Sequence, residues 1–289
     1  MTTTKAKVSA AILSIFLVGF VSASSADELW KLVGQSNYVV TGIMDVPLKE
    51  LAQAQRDGRD RYVSIPVKVS HCLKGQPCPV EMAVRYYSRP SSDSPSLEAL
   101  ASASGKRAIL FLVQVDDPYA NGLYFAGYSA QALQVYSKSI EAQVAKEVAA
   151  QSNIDTAISR LYDSKRDPYY AQVKELLDKT TSAATQKHAF EQLENLGMSG
   201  VPAMIMLMDD RRPLGEPSIS LTNKFPGAFE GMRHYGPKLV IDAASALLNQ
   251  ITGESFGNVE NGGSEGERTA AVRGWHAYLY HVLSARRPD

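Results

Sequence analysis

Apolar residues recur along this chain with more than one period, and each change of period marks a change of element. Val8 to Val21 is a mostly apolar run broken only by Ser9, Ser14 and Gly19. Residues 27–36 put Leu29, Leu32 and Val33 on one stripe and predict a short opening helix. A period of two then takes over. Val63, Ile65, Val67 and Val69 alternate with polar or small residues in Tyr62–Ser70, as do Val80, Met82, Val84 and Tyr86 in Val80–Tyr87. Such alternation marks half-buried strands. Arg107–Val115 is nearly continuous apolar, as expected of a strand covered on both faces. Tyr38–Val46 and Leu123–Ser129 are further strands, and strands at this spacing predict a small antiparallel barrel or sandwich. Leu48–Asp60 reads as a charged insertion between two strands, and Ser88–Ser104 as a long loop with room for one helical turn.

After about residue 136 the helical period begins. Ile154, Ala157, Ile158 and Leu161 form an amphipathic stripe. Asp167-Pro168 is a helix start, with a side-chain acceptor at the cap and Pro in the first turn. The helix it opens carries Val173, Leu176 and Leu177, and Thr181–Thr185 breaks it. The next bears Ala189, Leu193 and Leu196, stops at Gly197, and is followed by another from Val201-Pro202. Lys238–Thr252 is apolar on nearly all faces and predicts a central buried helix. Ser264-x-x-Glu267 is a capping box before a last helix with Ala271, Trp275, Tyr278 and Val282 on one stripe. The expected fold is α+β in two domains: a small antiparallel β-barrel or sandwich over 27–136, then an all-α helical domain over 137–289.

Ala189-Phe-Glu-Gln-Leu193-Glu-Asn-Leu196-Gly197 followed by Val201-Pro-Ala-Met-Ile205-Met-Leu207 resembles one HEAT repeat: a helix, a Gly turn, and a second helix opening with Pro. The resemblance covers roughly 183–283 and is interrupted between Arg211 and Pro237, where Gly and Pro break any regular period. It implies stacked helices offering a concave or grooved face to another protein. More loosely, the N-terminal half resembles the OB or netrin-type β-barrels of exported proteins. Neither fold implies one function.

The apolar run at Val8–Val21 follows Lys5 and Lys7 and precedes Ser22-Ala-Ser-Ser-Ala26. Positive start, short apolar run and small-residue junction read as a secretory signal peptide over 1–26, with cleavage after Ala26 or Ala23. A membrane span needs about 20 apolar residues, more than this run supplies. The expected location is therefore exported, periplasmic or extracellular, in a bacterial-type system, with no membrane span after cleavage. The chain's only two cysteines, Cys72 and Cys78, stand close together. In an oxidising compartment they predict a disulfide stapling the connection between two strands. Lys plus Arg and Asp plus Glu each number 30, and no basic block stands out, so there is no electrostatic footprint for nucleic acid.

Candidate chemistry concentrates in Glu230-Gly-Met-Arg233-His234-Tyr235-Gly236-Pro237, followed by Asp242. His234 is of the type to act as a general base, oriented by Glu230 or Asp242, with Arg233 holding an anion and Asn249 or Arg268 joining them. The alternative is that these groups bond helix ends and lock an irregular loop in place. Glu230, Arg233, His234, Asp242 and Arg268 are accordingly candidate binding residues, with no catalytic role assigned. Gly253-Glu-Ser255-Phe-Gly257 matches the nucleophile-elbow pattern, but a helix precedes it where an elbow needs a strand, and Gly253 serves better as a helix terminator. His276 and His281 project about 140° apart on a straight helix, too far to share an ion. Asn261-Gly-Gly-Ser264 reads as a capped turn, and Tyr119, Tyr124, Tyr128 and Tyr136 as packing aromatics or a binding surface. No metal or cofactor is expected. The leading expectation is a non-enzymatic exported module that binds another exported or envelope protein. The alternative is an exported hydrolase or small-molecule binder centred on Glu230–Asp242.

Overall fold

The computed structural model describes residues 24–58, 61–88, 94–115, 121–126, 129–225 and 231–285. Val8–Val21, with the export signal read from it, lies outside these residues, as do Tyr119, Tyr128 and Glu230.

The N-terminal half is a closed five-stranded barrel of β1 (Tyr38–Met44), β2 (Tyr62–Lys74), β3 (Glu81–Tyr87), β4 (Arg107–Val115) and β5 (Gly122–Phe125). The strands run in the order β1-β2-β3-β5-β4, and β1 pairs back onto β4 with Val40 opposite Leu110. Neighbours are antiparallel except β3 and β5, which run parallel at Val84 and Leu123. The barrel is thus mixed rather than purely antiparallel. An odd number of strands cannot alternate in direction around a closed ring, so one seam must be parallel. A short β6 (Leu133–Val135) continues the pairing along β4.

Burial follows the sequence periods. In β2, Val63, Ile65 and Val67 point inward while Ser64, Pro66 and Lys68 face out. In β4, Ala108, Leu110 and Leu112 fill the barrel, while Ile109 and Phe111 pack outside it. That second layer explains the continuous apolar run. Two segments read as irregular are helical: α2 (Leu48–Arg56) and α3 (Leu97–Ala103). Each presents only a narrow apolar edge, with Leu51 from α2 and Leu100 and Ala103 from α3 closing the barrel core, and polar residues elsewhere masked the period. Ser96 caps α3 by accepting from the Ala99 amide.

Cys72 and Cys78 are joined, with 5.8 Å between their Cα atoms, across the loop that links β2 to β3. The pair braces residues 73–77, including Gly75 at φ +95°, where a Cβ would sit 2.8 Å from the Asn37 carbonyl oxygen.

The C-terminal half holds α4 (Lys138–Ser152), α5 (Ile154–Leu161), α6 (Tyr170–Lys179), α7 (Ala183–Leu196), α8 (Val201–Leu207), α9 (Val240–Thr252) and α10 (Glu265–Ala285). Eleven of the thirteen residues of α9 are buried, so it is the central helix. The Ser264 amide donates to Glu267 Oε2 at 2.7 Å and the Glu267 amide to Ser264 Oγ at 3.3 Å, closing the box at the start of α10. Asp167 accepts from the Tyr169 amide as a cap should, although α6 begins only at Tyr170. The half is not all-α. The Gly- and Pro-bearing stretch between α8 and α9 forms a hairpin of β7 (Ile219–Thr222) and β8 (Met232–Tyr235).

The opening helix α1 (Ser24–Gln35) lies between the two halves. Leu32 and Val33 pack with Ile109 and Phe111 of the barrel wall and Val144 of α4. Trp30 turns the other way and stacks on Phe256, 6.2 Å away, which meets Trp275 of α10 edge-on at 5.0 Å. Gly274 of α10 makes room for the Phe256 ring, since a Cβ there would lie 2.5 Å from it.

Candidate functional site

Of the described members of the predicted polar cluster, Asp242 and Arg268 meet in the core, whereas Arg233 and His234 lie on β8. Asp242 is fully buried in the first turn of α9. Its carboxylate accepts from Arg268 Nε at 2.7 Å and Nη2 at 3.0 Å, and from the amides of Lys238 and Leu239 at 3.0 Å each. Arg268, also buried, reaches Glu265 through Nη1 at 3.0 Å. Hydrogen bonding to Asp242 raises the Arg268 pKa and keeps the guanidinium charged. This pair caps one helix and fastens it to another, and both groups are buried away from a ligand. Arg233 and His234 lie on β8 with exposed side chains. Within one strand their side chains point to opposite faces. His234 Nδ1 meets Ser220 Oγ at 2.8 Å, and among the described residues no carboxylate lies within ion-pair distance of it. Asn249 donates to the Glu254 carbonyl and takes no part.

The insertion does build a groove. Between α7 and the hairpin lies a cavity of about 540 Å³, with the buried Phe190 and Ile219 at its floor, Ser218, Ser220, Thr222 and Met232 along the hairpin wall, and the charged Lys187, Glu191, Glu194 and Glu216 around them. Met232 is 65 % exposed at the rim, unusual for so large an apolar side chain. Two residues of α7 hold the edge of β7. Gln186 donates to the carbonyls of Glu216 and Ser218 at 2.9 and 3.2 Å and accepts from the Glu216 amide at 2.7 Å. Glu194, two turns on, accepts from the Thr222 amide at 2.7 Å. Between these anchors the same edge carries the amide and carbonyl of Ser220, since alternate residues of a strand face the same side. Among the described residues no α7 group bonds them. The groove therefore offers an apolar floor beside a backbone donor and acceptor that have no α7 partner among the described residues. The sequence pattern did not single out Gln186, Glu194, Ser220 or Met232. The only available signal was the alternation in Ile219–Thr222 and Met232–Tyr235, too short to stand out against the surrounding Gly and Pro.

The remaining candidates have structural partners. Gly253 ends α9 in the left-handed conformation at φ 77°. Ser255 donates to Glu260 at 2.9 Å, and burial raises the pKa of that carboxyl. Phe256 is core. His276 meets Asp155 of α5 at 2.7 Å, while His281 stacks on Trp30 at 4.6 Å, so the two histidines serve different neighbours. Among the described residues no three His, Cys, Asp or Glu side chains are grouped to hold a metal ion. Nor, among them, is any helix long and apolar enough to cross a membrane. Asn261 accepts from the Gly236 amide, tying the turn before α10 to the hairpin. Tyr136 bonds Glu141, and Tyr124 joins Tyr62 and Arg85 in a ring-and-guanidinium cluster on the barrel, with Arg85 4.7 Å from the Tyr62 ring. No protein-family model, no curated protein and no solved structure matches the chain.

Proposed function

We infer that the chain is an exported, non-enzymatic protein-binding module, and that its groove between α7 and the β7–β8 hairpin receives a segment of another exported or envelope protein. The observation that carries this reading is the composition of the groove. An apolar floor, an exposed methionine at the rim and an amide and carbonyl with no α7 partner among the described residues suit a peptide, which offers apolar side chains and matching backbone groups at once. The volume lies in the range of a small ligand site and suits one or two side chains of a partner. His234 lies across from Ser220 on the face of the hairpin that carries the groove wall, and the Asp242–Arg268 pair fastens α9 to α10. A hydrolytic centre built on Asp242 is disfavoured because Asp242 is spent on Arg268 and two amides, and among the described residues no carboxylate reaches His234.

Export is supported by the order of charge, apolar run and small residues over 1–26, and a Cys72–Cys78 disulfide is compatible with an oxidising compartment. The turn from α7 through Gly197 to α8, with Pro202 in its first turn, supports the HEAT-like resemblance. The five-stranded ring with α3 between its third and fourth strands supports the OB-type one. The test is affinity capture from the exported fraction with wild type and Met232→Asp as parallel baits. A partner retained by wild type and lost from the variant supports the reading. Identical captures from both baits would refute it.

A further inference from the structure

A second cavity, of about 430 Å³, opens where the barrel, α1, α4 and α10 meet. Its walls come from every layer of the molecule: the end of α1, the disulfide-braced loop at Lys74–Gln76, Gln151 of α4, and Thr269 and Arg273 of α10. Two cations, Lys74 and Arg273, line it, and among the described residues no acid does. The acids nearby are engaged elsewhere. Glu147 bonds Gln151 and lies against His281, Glu265 pairs with Arg211 and Arg268, and Glu267 closes the capping box of α10. Arg273 has no hydrogen-bond or ion-pair partner among the described residues. Lys74 donates to the Val33 carbonyl at 2.5 Å, in the last turn of α1, a contact that uses one of its three protons and neutralises nothing. Burial first, and the facing Arg273 second, lower the Lys74 pKa to about 8.

Lys74 is half-buried, the exposed Arg273 that faces it repels it, and an anion between them would relieve both effects. We propose that this cleft binds a small organic anion, its carboxylate or phosphate held between Lys74 and Arg273 and its body against Val33, Val148 and Ala270. A guanidinium and an ammonium on separate elements reach an anionic group from two sides, and charge-assisted bonds of this kind are the strong ones. The cavity has the size of a small-ligand site and lies between the two halves of the fold, where such sites concentrate. The ligand would touch the barrel loop and α10 together, and the Cys72–Cys78 bond would hold the loop that presents Lys74.

The test uses thermal shift and calorimetry on the full folded chain with glycerol 3-phosphate and butyrate as probes, and sodium chloride at matched ionic strength and glycerol as controls. A saturable rise in melting temperature is expected with at least one probe and with neither control. The probe that produces it distinguishes phosphate from carboxylate. Arg273→Met changes an exposed side chain and leaves the fold intact, so it is the primary variant, with Lys74→Met as the second. Each is expected to weaken binding at least tenfold. Absence of a saturable shift with both probes would overturn the proposal, as would an Arg273→Met protein that binds as tightly as wild type.

Discussion

Asp242 and His234 show how differently two polar residues from one stretch of sequence can be used. Asp242 is fully buried with four hydrogen bonds to its carboxylate, whereas His234 is exposed and, among the described residues, bonds only Ser220. Removing one member of a buried pair strands the other charge, which typically costs about 3–5 kcal/mol. Asp242→Ala should therefore lose about that much in a denaturant titration, and the double variant Asp242→Leu/Arg268→Met should lose less, because no charge is left stranded. His234→Ala should change stability by less than about 0.5 kcal/mol, as surface substitutions do. Lys74 makes a third case. Its folded pKa of about 8 lies below the ordinary 10.5, so the unfolded chain holds the proton more tightly. The penalty for the buried charge is fully present below pH 8 and is relieved as pH rises toward 10.5. Wild type should thus gain stability relative to Lys74→Met across that window, and a flat difference would contradict the assignment. At this scale the sequence showed which residues carry chemistry but not what they face. Asp242 and Arg268 lie 26 positions apart, and nothing in their spacing says that α9 and α10 cross there.

Elements were legible where they were long and sided. The strands of the barrel, α5, the buried α9 and the capping box of α10 could all be read from period and cap chemistry. The short α2 and α3 could not, because each spends one or two apolar residues on the core and shows polar ones elsewhere. The β7–β8 hairpin escaped for a related reason: four residues per strand give only two alternations each. Phe256 was legible only as the middle of a loop motif, yet it sits between Trp30 and Trp275. Phe256→Ala should cost about 3–5 kcal/mol, the usual loss for a buried aromatic. Gly274→Val should be destabilising too, through a clash with the same ring. The disulfide spans six positions, a short loop for which chain entropy alone contributes about 2 kcal/mol. Cys72→Ser/Cys78→Ser should lose about that amount while keeping the far-ultraviolet spectrum of the barrel and helices.

At the scale of the whole molecule, α1 decides how the halves behave. It gives Trp30 to the helical core, and Leu32 and Val33 to the layer over the barrel, so neither half closes its surface without it. Unfolding should accordingly be one transition, coincident by far-ultraviolet circular dichroism and by the fluorescence of Trp30 and Trp275. Two separated transitions would show that the halves are independent. The same arrangement leaves the groove beside α7 as a face built from one half alone, away from the α1 junction, and available to a partner. The central claim, that this groove holds another protein, is tested most directly by a photo-activated cross-linking residue placed at Met232, with Val135 as an equally exposed position on the barrel. The account predicts a discrete cross-linked product from position 232 and none from 135. No product at 232, or the same product from both positions, would contradict it.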